Sequence, residues 1–313
     1  MTGGHQQYSI IEADSLEDGL LQLCGKNESI VARKQLGGGC INEAFRLDLK
    51  QSGRFFCKQN RNSFEKMFRV EALGLSALAS HSQKSGGPPV ACPRAVIETP
   101  QSQFLLLDWI DEGRPQAFSW QEFGRKLACF HSADYVISGS VGSETRFGFS
   151  SDTYIGSNVQ KNSLSSSWSD FFGQHRLGFQ MWLAEKNGLV DDAMLVHFKR
   201  LIDRLPDLLP EPEHASLLHG DLWGGNCLCD SQGRMHLIDP AVYAGHHEAD
   251  LAMLELFGGP PPSFWQAYSE VLPMSTEYPQ RRDLYNLYHI LNHANLFGGS
   301  YVASAKEIMR RYC

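Results

Sequence analysis

The sequence predicts an α+β protein of two lobes, and two observations predict it. Residues 30–58 read as strands separated by glycine-rich turns, whereas helical periodicity dominates from Trp120 to the end of the chain. A length of 313 residues, 42% of them hydrophobic and 20% charged, is ample for a large core divided in two. The polar connector "DEGRPQ" marks the boundary: 1–107 is the first lobe, 108–116 the linker and 117–313 the second lobe.

The elements follow in order. "SIVARKQL", "AFRLDL" and "RFFCKQ" read as strands, with "LGGGC", 36–40, as the turn between the first two. Asn62 with Glu65 three residues on is a capping box, which opens a helix over 63–80. Its apolar stripe is Phe64, Met67, Phe68, Leu75 and Leu78. "SGGPPVACP", 85–93, is a loop, and "QFLLLDWI", 103–110, a short buried strand. Helices are expected over 119–132, 168–187 and 191–205, with a Ser-rich loop over 138–167. After Pro210, "ASLLHGDLWGGNCLCD" and "MHLIDPAVY" hold two short strands with turns, and helices then resume. No internal repeat or low-complexity tract interrupts the chain.

Composition excludes several classes. A net charge of −7 without any Lys/Arg run argues against nucleic acid or an anionic membrane as a partner. No apolar run reaches the roughly 18–20 residues of a membrane span. "MTGGHQQYSIIEADS" lacks the basic start and apolar core of a signal peptide, so a soluble cytoplasmic protein is expected. The eight cysteines are scattered without a CxxC pair, which suits free thiols better than a disulfide framework. Cys227 and Cys229 form a CxC with no partner pair at zinc-ligand spacing and belong to a strand. His246-His247-Glu248 lacks the order of a zinc hydrolase, and no Walker A run exists.

The chemistry starts with an anomaly. Glu71 falls on the apolar stripe of its helix, where an unpaired carboxylate costs several kcal/mol. Lys58 is its candidate partner, since it shares a strand face with Phe56. A strand lysine after a glycine-rich hairpin, followed by a helix glutamate, is the arrangement of protein-kinase-like enzymes. There the lysine contacts the α- and β-phosphates of ATP and the glutamate holds it. Gly37, Gly38, Gly39 and Cys40 occupy the phosphate-covering turn, where glycines let backbone N–H groups approach closely.

"LLHGDLWGGNCLCD" then supplies Asp221 and Asn226 with four residues between them, the spacing of a kinase catalytic loop. Asp221 would orient or deprotonate the acceptor hydroxyl, and Asn226 would ligate Mg²⁺. Asp239 follows at the end of "MHLIDP" as the second metal ligand. A bland turn matches the acid and amide by chance, but not all five residues in order. The fold expected is therefore protein-kinase-like, β-rich in the first lobe with one helix and mainly helical in the second, with ATP and Mg²⁺ as cofactors. "IDPA" stands where D-F-G would, there is no A-P-E, and His219-Gly220 replaces His-Arg. Those departures favour a small-molecule acceptor over a peptide.

"LLHGDLWGGN", "IDPAVYAGHHEADLAMLELFGG" and "YNLYHILNHANLFGGSY" make the chain resemble the fructosamine kinase (ketosamine-3-kinase) family. "LGGGCINEAFRL", "FCKQN", "FLLLDWI" and "WSDFFGQHRLGFQMWL" extend the resemblance over nearly the whole length. It implies ATP-dependent phosphorylation of the 3-hydroxyl of a ketosamine such as a ribulosamine or fructosamine. The 3-phosphate then eliminates and releases the amine. Substrates would be small ketosamines or glycated lysines on proteins, and the protein a monomer or homodimer. By the same resemblance Asp221 is the base, Asn226 and Asp239 hold magnesium, and Lys58 with Glu71 meets the ATP phosphates. Backbone groups of Leu107, Asp108, Trp109 and Ile110 would bind adenine. Asp250 would brace the catalytic loop, with His219 as a further support.

Trp223 is the candidate for the sugar, because an aromatic face packs against a sugar ring. Arg176 and Trp168 would fix the insertion that shapes the acceptor site, and His293 with "NLFGG" would close the cleft. Cys40 would be redox-sensitive, since nearby N–H groups and Lys58 lower a thiol pKa, and its oxidation would block ATP or link two chains. Two other functions fit less of the sequence. A kinase of an aminoglycoside or amino alcohol lacks the family-specific block. A nucleotide-binding pseudokinase scaffold typically loses one of the five kinase positions, all present here.

Overall fold

The computed structural model describes residues 8–37, 42–61, 66–137 and 146–313. Its first part is one six-stranded sheet. The chain enters through β1 (Ser9–Glu12) and α1 (Leu16–Cys24), then runs β2 (Ile30–Leu36), β3 (Glu43–Leu49) and β4 (Gly53–Asn60). After α2 (Met67–Ser85) come β5 (Pro93–Glu98) and β6 (Gln103–Asp108). Strand order is β1-β5-β6-β4-β3-β2; β1 pairs with β5 in parallel and the other pairs are antiparallel.

Strand alternation divides the sheet between two cores. Phe68, Ala72, Leu75 and Leu78 of α2 pack with Val96, Leu105 and Leu107 on one face. Leu16 and Leu20 of α1 pack with Leu47, Cys57, Ile97 and Leu106 on the other. On β4, Phe55 and Cys57 belong to the α1 side and Phe56 packs on the α2 side. Lys58, two residues beyond Phe56, is therefore delivered toward α2.

Helix ends differ from expectation where local chemistry overrides the pattern. α2 starts at Met67, after Lys66 at φ 64, and runs past residue 80 to a left-handed cap at Gly86 (φ 74). Buried His81 and Ser82 carry it onward. Asn62, Phe64 and Glu65, which the expected capping box and stripe need, lie outside the described residues. α1 had no counterpart in the pattern reading, although Ser15 Oγ caps it by accepting the Asp18 N–H at 3.1 Å. The pattern predicts neither β1 nor β5. β1 is four residues long, and β5 opens on a proline.

The rest is mainly helical: α3 (Ala117–Ser132), α4 (Trp168–Phe171), α5 (Phe179–Lys186), α6 (Asp192–Leu208), α7 (Glu248–Leu256), α8 (Pro262–Val271), α9 (Tyr278–Phe297) and α10 (Ser300–Arg311). A π-helical stretch, Phe172–Gly178, joins α4 to α5, so the expected 168–187 helix is continuous but widened in its middle. α6 outruns the expected 205 and carries Pro206 near its end. α3 and α8 pack so closely that a Cβ on Gly124 would stand 2.4 Å from the Phe264 carbonyl.

Three small antiparallel ribbons sit among these helices. They are β7 (Thr153–Ile155) with β8 (Asn158–Gln160), β9 (Ser216–Leu218) with β12 (Tyr243–Gly245), and β10 (Cys227–Cys229) with β11 (Met235–Leu237). The first lies inside the segment expected to be a loop. Among the described residues no helix is long and apolar enough to cross a membrane.

Candidate active site

Lys58, Glu71, Asp221, Trp223, Asn226 and Asp239 all line one cleft of about 470 Å³. β4 supplies the lysine and α2 the glutamate. Lys58 Nζ lies 2.6 Å from Glu71 Oε1 and 2.8 Å from Asp239 Oδ1. Burial opposes the charge on Lys58, but the Asp239 and Glu71 carboxylates outweigh it and raise its pKa. Burial pushes Glu71 upward, against the pull of the Lys58 ammonium.

The loop after β9 is shaped by its backbone. Gly220 has φ 80, and a Cβ there would fall 1.9 Å from the Ala241 carbonyl oxygen, so only glycine fits. Asp250, in the first turn of α7 and 1% exposed, grips the loop: Oδ2 accepts the His219 N–H at 2.7 Å and Oδ1 the Gly220 N–H at 2.9 Å. Burial works against its charge, but His131 and the loop N–H groups prevail and its pKa is lowered. His219 is fully buried and neutral, its pKa lowered by burial. Its Nε2 donates to the Ile238 carbonyl at 2.8 Å, and its Nδ1 accepts the Asp221 N–H at 3.3 Å.

Asp221 emerges from this loop with 26% of its side chain exposed. Burial pushes its pKa up to about 7; the Asn226 hydrogen bond lowers it, and Asp239 and Asp250 raise it. Asn226 Nδ2 donates to the Asp221 carbonyl at 2.8 Å and to Asp221 Oδ2 at 3.0 Å. The amide nitrogen is thus used within the loop, and its oxygen is the atom suited to a cation. Asp239 is a non-glycine residue at φ 53, a strained backbone of the kind kept where function requires it. Its side chain is 43% exposed. An amide oxygen and a carboxylate are hard donors that suit Mg²⁺, which takes few protein ligands and shares the rest with phosphates and water. No group of three or more His, Cys, Asp or Glu that could hold a metal occurs among the described residues.

Other expected site residues fall in several places. Gly37 lines the cleft, whereas Gly38, Gly39 and Cys40 lie outside the described residues. Leu107, Asp108, Trp109 and Ile110 are not among the cleft's described lining residues. The strand stops at Asp108 rather than reaching 110, and Leu107 is buried in the sheet. Asp108 pairs with Arg94, and Trp109 Nε1 donates to Asp111 at 2.9 Å. Trp223 is 38% exposed and meets the Phe257 ring edge-on at 5.9 Å; His293 also meets Phe257 edge-on, at 5.6 Å.

Thr153, Tyr154 and Gly156 also line the cleft, and no sequence expectation included them. Their hairpin was legible in principle: "TYI" and "NVQ" flank Gly156-Ser157, a two-residue turn of the hairpin type. Its strands are three residues each, too short to stand out in a Ser-rich segment. Arg176, fully buried in the π-helical stretch, donates to the Lys161 carbonyl at 2.6 Å and to Asn162 Oδ1 at 2.8 Å. Its guanidinium lies 3.8 Å from the Tyr243 ring centroid. Gln160 ties the hairpin to the Ala241 carbonyl at 2.8 Å, two residues after Asp239 in the chain. The buried Asn162 oxygen and the half-buried Lys161 carbonyl left unpaired cost about 1–3 kcal/mol each, so Arg176→Met destabilises by roughly 3 kcal/mol. Thermal denaturation checks this, together with a rise in acceptor KM that exceeds any change in ATP KM.

The fructosamine kinase family pattern matches residues 14–313. The protein-ribulosamine 3-kinase of Arabidopsis thaliana chloroplasts is 39% identical over 92% of this chain and 84% of its own. A candidate fructosamine-3-kinase from Haemophilus somnus superposes with a TM-score of 0.82 at 27% identity, covering 95% of this chain and 96% of that one. APH(2")-IIa, solved in complex with gentamicin, shares the fold, with a TM-score of 0.58 at 14% identity over 94% of this chain and 92% of its own. The sheet-and-helix architecture is that of the aminoglycoside-phosphotransferase-like kinases, and the chain belongs to the fructosamine kinase family.

Proposed function

We propose that this protein is an ATP-dependent ketosamine 3-kinase that phosphorylates the 3-hydroxyl of a ribulosamine or fructosamine. The 3-phosphate eliminates and frees the amine, so the activity removes sugar from glycated amines, whether small molecules or protein lysines. The observation that carries the reading is Lys58 Nζ, 2.6 Å from Glu71 and 2.8 Å from Asp239, in the same cleft as Asp221 and Asn226. That arrangement suits transfer of a phosphoryl group to an alcohol, and membership of the family narrows the alcohol to a ketosamine.

In this assignment residues 1–107 hold ATP, 108–116 link, and 117–313 carry catalysis and the acceptor. Lys58, kept charged and oriented by Glu71, binds the α- and β-phosphates. Asn226 and Asp239 would hold Mg²⁺, which when bound neutralises charge on the β- and γ-phosphates. Asp221, with a pKa of about 7, accepts the proton of the attacking hydroxyl near neutral pH. His219 and Asp250 keep the loop in place, and Trp223 offers its exposed ring to the sugar. Free thiols at the seven described cysteines suit a reducing compartment, in agreement with work in the cytoplasm.

The test is ADP release by purified protein with Mg-ATP and either ribulose-lysine or fructose-lysine. Acceptor-dependent ADP is expected, and the ratio of the two rates names the preferred sugar. Nucleotide binding without turnover on either acceptor contradicts the reading.

A further inference from the structure

One polar group beside the base has no partner. His289, on α9, is 4% exposed, and its Nδ1 makes no hydrogen bond among the described residues. That nitrogen lies 4.0 Å from Asp221 Oδ1. The polar side chains around it are committed elsewhere. The Tyr288 hydroxyl donates to Gln160, Asn292 Oδ1 accepts from Asn158 and Gln180, and Arg176 is bound to Lys161 and Asn162. His293 Nδ1 meets the His289 carbonyl, not its ring. Burial pushes the imidazole pKa down to about 3, so the ring is neutral and makes no ion pair with Asp221.

An orphaned buried nitrogen costs about 1–3 kcal/mol, and such groups persist where a ligand completes them. A separation of 4.0 Å is too long for a direct hydrogen bond. An oxygen standing about 2.8 Å from each atom would complete both.

We propose that His289 Nδ1 is an acceptor-binding group, hydrogen-bonded to the sugar hydroxyl that Asp221 deprotonates. This rests on the ketosamine kinase reading. With Nδ1 carrying the imidazole proton, the ring donates to the hydroxyl oxygen while that oxygen donates its own proton to Asp221 Oδ1. As the O–H bond breaks, the proton passes to Asp221 and the oxygen forms its bond to the γ-phosphorus. The bond from that phosphorus to the β-phosphate oxygen breaks, and ADP leaves. The histidine N–H stabilises the negative charge that gathers on the attacking oxygen, a preorganised donor of the kind that favours the transition state.

The experiment compares His289→Leu and His289→Asn with wild type in acceptor kinetics and thermal denaturation. His289→Leu lowers kcat/KM for the ketosamine by roughly tenfold or more and leaves ATP KM unchanged. It also melts no lower than wild type, because it removes an unpaired polar atom. His289→Asn, whose amide nitrogen can stand near the position of Nδ1, recovers most of the lost activity. A His289→Leu enzyme with wild-type kcat/KM overturns the proposal, and so does an activity loss that Asn does not restore. Melting is independent of the acceptor, so a lower melting temperature for His289→Leu marks a structural role and overturns it whatever the substrate. Failure of the wild type to turn over any ketosamine contradicts the kinase reading instead.

Discussion

Replacing Asp221 with asparagine lowers kcat by roughly 10³-fold and leaves ATP binding and folding nearly unchanged. The magnitude follows from loss of general base catalysis, which contributes about 10²–10⁴-fold. The geometry argues for such selectivity. Asn226 Nδ2 donates to Asp221 Oδ2 at 3.0 Å, and an asparagine oxygen can accept the same bond. Among the described residues no hydrogen bond or ion pair joins the Asp221 side chain to Lys58, Glu71 or Asp239, so the pairs on the nucleotide side are kept. The check is kcat with a ketosamine beside nucleotide affinity by calorimetry. A variant within a few-fold of wild-type kcat would remove Asp221 from the base role.

Gly220→Ala loses both activity and stability, by at least about 3 kcal/mol, or a fall of about 5 °C in melting temperature. Two costs add. The position has φ 80, disfavoured for any residue with a Cβ, and that Cβ would overlap the Ala241 carbonyl at 1.9 Å. Relief requires the loop to move away from Ala241, which bonds to His219 O through its N–H at 2.9 Å. It also strains the Asp250 grip on the His219 and Gly220 amides. A folded Gly220→Ala protein with normal kcat would show that the loop geometry is not what holds Asp221 in position.

The two periodicities made the inner face of the sheet lobe readable. Strand alternation set Lys58 beside Phe56, and helix spacing put Glu71 among apolar neighbours; the structure places the two 2.6 Å apart. The strain at Asp239 was invisible, because a positive φ at aspartate leaves no composition mark. The cleft's third wall was unread for a different reason. Thr153 and Tyr154 sit on a three-residue strand and Gly156 on the turn after it, and what fixes the hairpin is Arg176, which reaches back from a π-helical turn. A buried cation held by a carbonyl, an amide and aromatic faces is a tertiary fact, with no local pattern to announce it. His289 carries no sequence mark either, since a histidine on a mostly buried helix reads as core; its unpaired nitrogen beside Asp221 is set by tertiary packing.

The most direct measurement incubates a ribulosylated peptide with Mg-ATP and follows it by phosphorus NMR and mass spectrometry. The account predicts a transient phosphate ester on the sugar's 3-hydroxyl, followed by release of the unmodified peptide. A stable phosphate on another hydroxyl, or ADP formed without any phosphorylated sugar, would contradict it.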